Sequence, residues 1–86
     1  MNGFKVVIHR KAVKELKNLP KDIRDRILES LEEMKISPFI GDVRKIRGEE
    51  AYRKRVGDYR IEFIMDLEDN TIAILRIAHR KRIYKK

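Results

Sequence analysis

The sequence predicts an α+β fold in the order β-α-α-β-β-β, a helical hairpin packed on one face of a mostly antiparallel four-stranded sheet. Three observations predict it. A short β-branched run opens the chain, and two runs at helical spacing follow, parted at Leu19-Pro20. From Ala51 the apolar period returns to two, in three runs separated by turn signals.

The opening run Phe4-Lys5-Val6-Val7-Ile8-His9 is β-branched and roughly alternating, as a short strand requires. Ala12, Val13, Leu16 and Leu19 then fall at helical spacing, with Lys11, Lys14, Glu15, Lys17 and Asn18 on the other side. Leu19-Pro20 ends that helix, because the residue before proline avoids the α region. Pro20 suits the first turn of a second helix, where its missing N–H is no loss. That helix runs to about Lys35. Ile23, Ile27, Leu28, Leu31 and Met34 form its apolar stripe, and charged residues cover the rest. Ser37-Pro38 closes the hairpin.

Residues 37–50 are expected to be a loop held by Phe39, Ile40, Val43 and Ile46, and a connection this long more often marks a functional segment than a spacer. Tyr52–Val56 and Tyr59–Asp66 follow as strands joined by a two-residue turn at Gly57-Asp58. Glu68-Asp69-Asn70 makes a second turn, and Thr71–Ile77 is the last strand. His79-Arg80-Lys81-Arg82-Ile83-Tyr84-Lys85-Lys86 is a basic tail with one aromatic.

Bulk composition bounds the function. The 86 residues allow one domain, residues 1–86, whose core is small for its surface. Charged residues make up 42% of the chain, against about a quarter in ordinary globular proteins. Net charge is +8, so the field over the surface attracts phosphate backbones or an acidic protein. There is no cysteine, which excludes disulfides and thiolate zinc sites. No apolar run is long enough to span a bilayer or to serve as a secretory leader, and a cytoplasmic protein without a cofactor is expected. Ser30 and Ser37 lack a histidine or acid at catalytic spacing, the glycines form no phosphate loop, and the two histidines have no metal-ligand pattern.

A cationic cluster remains. With a two-residue turn at Gly57-Asp58, Val56 faces Tyr59, Arg55 faces Arg60 and Arg53 faces Glu62. The period of two then puts Arg53, Arg55 and Arg60 on one side of the sheet. Two arginines directly opposite repel, and Glu62 neutralises one neighbour but not all three. Such a cluster is either a solvated sheet edge or a phosphate site, for which guanidinium offers a planar fork of donors and a permanent charge. Arg60 is taken here as an exposed sheet residue. A two-residue turn at Asp69-Asn70 would bring Arg60 opposite His79, and other turns of the same parity would keep His79 on that face. His79 then is either a proton carrier at neutral pH or a surface residue. His9 is structural. Tyr84 either packs on the sheet or offers a ring on which an RNA base stacks.

These residues carry a resemblance. Ala12-Val13-Lys14-Glu15-Leu16, Leu19-Pro20, Lys45-Ile46-Arg47-Gly48, Tyr52 through Ile61, and Ile77-Ala78-His79-Arg80 with Ile83-Tyr84 together resemble the RelE/ParE toxin superfamily over nearly the whole chain. The most specific part is Arg55-Val56-Gly57-Asp58-Tyr59-Arg60. The resemblance implies a toxin of a type II toxin–antitoxin system that cleaves mRNA in the ribosomal A site. In such enzymes the ribose 2′-hydroxyl attacks the adjacent phosphate without a metal. It further implies that Arg60 stabilises the transition-state phosphate and that Arg53 and Arg55 sit near the attacking hydroxyl. Arg80 would lie near the leaving oxygen, and Tyr84 would orient the substrate. Arginine at 53 and 55 stays protonated and so is no general base. The acid that some relatives carry before the Lys-Ile-Arg-Gly segment is absent, with Asp42 the nearest. The implied partner is an acidic RelB-like antitoxin, partly disordered until bound. ParE-type relatives poison DNA gyrase instead, and a catalytically inactive antitoxin-binding relative is a third reading.

Overall fold

In the computed structural model, which describes residues 3–48 and 50–83, His9 ends the first strand and starts the first helix. Strand β1 (Lys5–Ile8) stops one residue before it, and helix α1 (Arg10–Lys17) begins one residue after it. The His9 backbone is extended (φ −62°, ψ 150°), and its Nδ1 accepts a hydrogen bond from the Lys11 amide at 3.3 Å. That is the work of an N-cap: one orphan donor of the first turn is satisfied by a side chain.

Pro20 occupies the cap position of α2 (Lys21–Ile36), its carbonyl accepting from the Arg24 amide at 2.8 Å. After Pro38 come β2 (Asp42–Lys45), β3 (Tyr52–Val56), β4 (Tyr59–Asp66), β5 (Thr71–His79) and a short helix α3 (Arg80–Ile83). The sheet order is β1-β5-β4-β3-β2, antiparallel except where β1 runs parallel to β5.

The α+β class and the helical hairpin are as expected, and the sheet has five strands rather than four. The segment expected to be a loop contributes β2, which pairs with β3 from Asp42 opposite Arg55 to Lys45 opposite Tyr52. Between Gly41 and Gly48, both at positive φ, the chain is straight enough to add an edge strand. The tail also differs, since its first residues continue from β5 directly into α3.

The core lies between the hairpin and one face of the sheet. Ala12 and Leu16 of α1 meet Ile27, Leu31 and Met34 of α2 over Ile61, Phe63, Ile72, Ile74 and Ile77. Each fully buried Ile or Phe contributes roughly 1.5–3 kcal/mol relative to exposure. Tyr52 stacks on Phe63 with ring centroids 5.6 Å apart, and Phe39 meets Tyr52 edge-on at 5.0 Å. Those rings pin the α2–β2 connection to the core.

Two local features set the register of the last strand. The turn after β4 spans 67–70. Asp66 Oδ1 accepts from the amides of Glu68 and Asp69, and Asn70 sits at φ 51°. Further on, Glu62 pairs with Arg76 while Phe63 pairs with Ile74, so Leu75 is an extra residue bulged out of the ladder.

Strand β1 covers the edge of β5 only as far as Ile74. Beyond it, Glu15 of α1 takes over the edge. Its Oε1 accepts from the Ile77 amide at 2.8 Å and its Oε2 from Arg76 Nε at 3.0 Å, with Arg76 Nη2 in ion-pair contact at 2.9 Å. A carboxylate thus replaces a missing strand. Among the described residues, no helix is long and apolar enough to cross a membrane.

Candidate functional site

The hairpin β3–β4 turns at Gly57, whose φ of 60° suits a residue without a Cβ. Its register is Val56 opposite Tyr59, Arg55 opposite Arg60, and Arg53 opposite Glu62, as the two-residue turn predicted. Ile61 and Phe63 point into the core, so Arg60 and Glu62 point to the opposite, helix-free face, and Arg53 and Arg55 share it. Strand β2 extends this face, with Arg44 opposite Arg53 and Asp42 opposite Arg55.

Together these strands form a shallow concavity of about 250 Å³, lined by Asp42, Arg44, Lys45, Ile46, Arg53, Arg55 and Arg60. Five of the seven are cations and one is an acid. Arg53 Nη2 meets Glu62 Oε2 at 3.1 Å, both side chains mostly buried, so Glu62 offsets one charge as anticipated. Arg44 Nε lies 3.5 Å from Asp42 Oδ1 at an exposed position. Arg55 Nε donates to the Gly57 carbonyl and Arg60 Nη1 to the Tyr59 carbonyl, each at 3.3 Å. Carbonyl acceptors fix the direction of each guanidinium. Chemically, the arrangement offers forked donors and a fixed positive field to a phosphodiester.

Arg60 departs from the exposed residue expected of it. It is only 8% exposed, sunk between its strand neighbours, so its charge acts in a less watery setting than that of a surface arginine. His79 departs further. It pairs with Tyr59, and Ala78 takes the place opposite Arg60. The Leu75 bulge adds one residue to β5, which reverses the facing of everything after it. His79 therefore shares the face of Tyr59, with ring centroids 5.3 Å apart, in a depression that Leu19 and Pro20 also line. Its Nδ1 accepts from the Lys81 amide at 3.3 Å, the same two-residue cap that His9 makes at α1.

Arg80 is exposed at the start of α3, its amide bonded to the Asp58 carbonyl at 2.8 Å. That bond holds it beside the β3–β4 turn, although it does not line the concavity. Tyr84 lies outside the described residues.

Sequence reasoning missed the contribution of β2. Arg44 and Lys45 were not placed at the site because a four-residue strand leaves almost no periodic trace; the flanking Gly41 and Gly48 were its available signal. Also missed was Lys54, which parity puts on the core side with Tyr52 and Val56 and which is 4% exposed. Burial pushes its ammonium below the usual lysine pKa, an effect that Glu33 partly counters.

Comparison with known proteins matches residues 6–84 to the family described as ParE toxin of type II toxin-antitoxin system, parDE. Toxin RelE3 of Methanocaldococcus jannaschii is 40% identical over 86 residues, covering 94% of this chain and 96% of that relative. A chain of the archaeal RelE–RelB complex from Pyrococcus horikoshii superposes with a TM-score of 0.83 at 35% identity, over 93% of this chain and 98% of that one. A chain of the RelB–RelE antitoxin–toxin complex from Methanococcus jannaschii gives 0.76 at 36% identity, over 91% and 94%.

Proposed function

Because this chain belongs to the RelE/ParE superfamily of type II toxin–antitoxin toxins, we propose that it is an endoribonuclease that cleaves messenger RNA in the ribosomal A site. The observation that carries this reading is the concavity on β2, β3 and β4, whose lining includes five cations and one carboxylate. In the reaction the ribose 2′-oxygen bonds to the neighbouring phosphorus and the 5′-oxygen leaves. The products are a 2′,3′-cyclic phosphate and a 5′-hydroxyl. Negative charge accumulates on the phosphorane oxygens as the bond forms, and fixed guanidinium groups aimed at that charge lower the barrier.

Arg60 takes the central role, since its partial burial strengthens its field and strand β4 holds it rigidly. Arg53 and Arg55 flank the attacking side and work by charge, because arginine cannot accept the 2′-hydroxyl proton. Asp42 is the carboxylate placed to receive it, and the proton delivered to the 5′-oxygen comes from solvent or from a group carried with the RNA. Arg80, held beside the hairpin turn, contacts the leaving-group side, and Tyr84 stacks on the substrate. His79 faces away and has no part in this scheme.

An acidic RelB-like antitoxin restrains the enzyme. The net charge of +8 favours such a partner, and two of the similar structures contain a RelB chain. The match to the ParE family model favours a second reading, poisoning of DNA gyrase. Induction without the partner separates the two, with mapping of RNA 5′ ends and assay of DNA supercoiling in the same cells. New mRNA 5′ ends within coding sequence support the nuclease; intact mRNA with gyrase-linked DNA breaks refutes it.

A further inference from the structure

The helix-covered side of β3 holds a second polar site, which shares only Arg55 with the concavity on the other face. Between α2 and the β3–β4 hairpin lies a cavity of about 290 Å³. Arg26, Ser30 and Glu33 reach it from one face of α2, at spacings of four and three residues. Lys54 reaches it from β3, beside Gly41 and Gly57. Lys54 stands at an inward position, with Val43 and the fully buried Ile61 as cross-strand partners. An apolar residue would satisfy the pattern there.

Its ammonium nonetheless makes no hydrogen bond among the described residues, and the nearest opposite charge is Glu33 Oε1 at 4.0 Å, on a side chain 57% exposed. One turn earlier on α2, the Ser30 hydroxyl is also buried without a hydrogen-bond partner among the described residues. At the rim, the Arg26 guanidinium packs against Gly57, where a Cβ would stand 3.4 Å from Nη1. Two unsatisfied buried donors and a guanidinium thus surround one space. A buried ammonium with no hydrogen bond and a single, mostly exposed carboxylate at 4.0 Å is under-satisfied, and a bridging water would satisfy its hydrogen bonds but not its charge. Arg26 and Lys54 formally balance the acids Glu29 and Glu33, and Arg55, whose strand position belongs to the helix-free face, borders the cavity.

We infer that this cavity is an oxyanion site, in which Lys54 Nζ and Ser30 Oγ hold a compact carboxylate or phosphate with Arg26 at its mouth. A water occupies about 30 Å³, so the space admits such an anion together with solvent. The oxyanion comes either from free phosphate or from an acidic side chain of a bound protein, and the two sources are separable.

The test uses the full-length chain made by cell-free synthesis, isotope-labelled, and titrated at constant ionic strength with inorganic phosphate, acetate and chloride. Saturable shifts at Ser30, Gly41 and Lys54 are expected with an oxyanion and not with chloride. Phosphate alone acting assigns the free anion; acetate acting as well assigns a carboxylate. Lys54→Met should weaken the binding read at Ser30 by about tenfold or more, since it removes a charge-assisted donor, while shifts at Arg44 and Lys45 persist. The inference is overturned if neither oxyanion moves these resonances, or if Lys54→Met binds as the parent does.

Discussion

Replacing Glu15 tests whether one carboxylate does the work of a strand. Its oxygens take two hydrogen bonds, one from the Ile77 amide and one from Arg76 Nε, and an ion pair with Arg76 Nη2, with the acid 21% and the arginine 28% exposed. Glu15→Ala strands the Ile77 N–H at an edge that β1 no longer covers and leaves the guanidinium half-buried without its partner. Charge-assisted bonds contribute about 1.5–3 kcal/mol each when buried. Partial exposure lets water recover much of that, so a loss of about 2–3 kcal/mol is expected for the alanine variant. Glu15→Gln keeps an acceptor for Ile77 and should lose only about 1 kcal/mol. Alanine is the best helix former, so neither loss can be assigned to α1 itself. In a domain this small each kcal/mol moves the melting temperature by about 4–8 °C. Urea denaturation with an unchanged slope measures the equilibrium loss, and amide exchange at Ile77 reports the local opening. A Glu15→Ala variant within about 0.5 kcal/mol of the parent, or with Ile77 exchange unaltered, would refute the edge-capping argument.

Three further outcomes are expected. Arg60→Lys keeps the charge and loses the planar fork, so RNA cleavage should fall on the order of 10²-fold or more, with circular dichroism confirming that this mostly buried site still folds; full activity in a folded variant removes Arg60 from its role. Arg44→Ala and Lys45→Ala should each reduce the slope of log affinity for RNA against log salt by about 0.7–1, whatever the sequence bound; an unchanged slope places the RNA elsewhere. Lys54→Met in phosphate-free buffer should stabilise the fold by roughly 1 kcal/mol at neutral pH. The native ammonium has its pKa lowered by burial, so the native state releases this proton before the unfolded chain does. The penalty is therefore complete below the lowered native pKa and fades as pH rises toward the ordinary lysine value. Parent stability should climb across that alkaline window relative to the variant, and parallel pH curves would contradict the assignment.

The hairpin that carries the arginines was legible in the sequence because everything it needs is local. A glycine able to adopt φ 60° sets a two-residue turn, and strict alternation then decides which side chains share a face. Helices α1 and α2 were legible for the same reason, since apolar spacing and a Leu-Pro break act within a few residues. His79 was misplaced because facing is a running count. One bulged residue, Leu75, inverts every later position, and nothing in Thr71-Ile72-Ala73-Ile74-Leu75-Arg76 marks which residue steps out. Strand β2 escaped notice because an edge strand of four residues is held by its neighbour β3 more than by its own pattern. The burial of Arg60 and Lys54 depends on what packs around them, and only tertiary packing decides that. Short-range geometry thus wrote the cationic row into the sequence. The depth of that row, the β2 side chains that complete it and the turning away of His79 came from strand pairing and packing between distant segments.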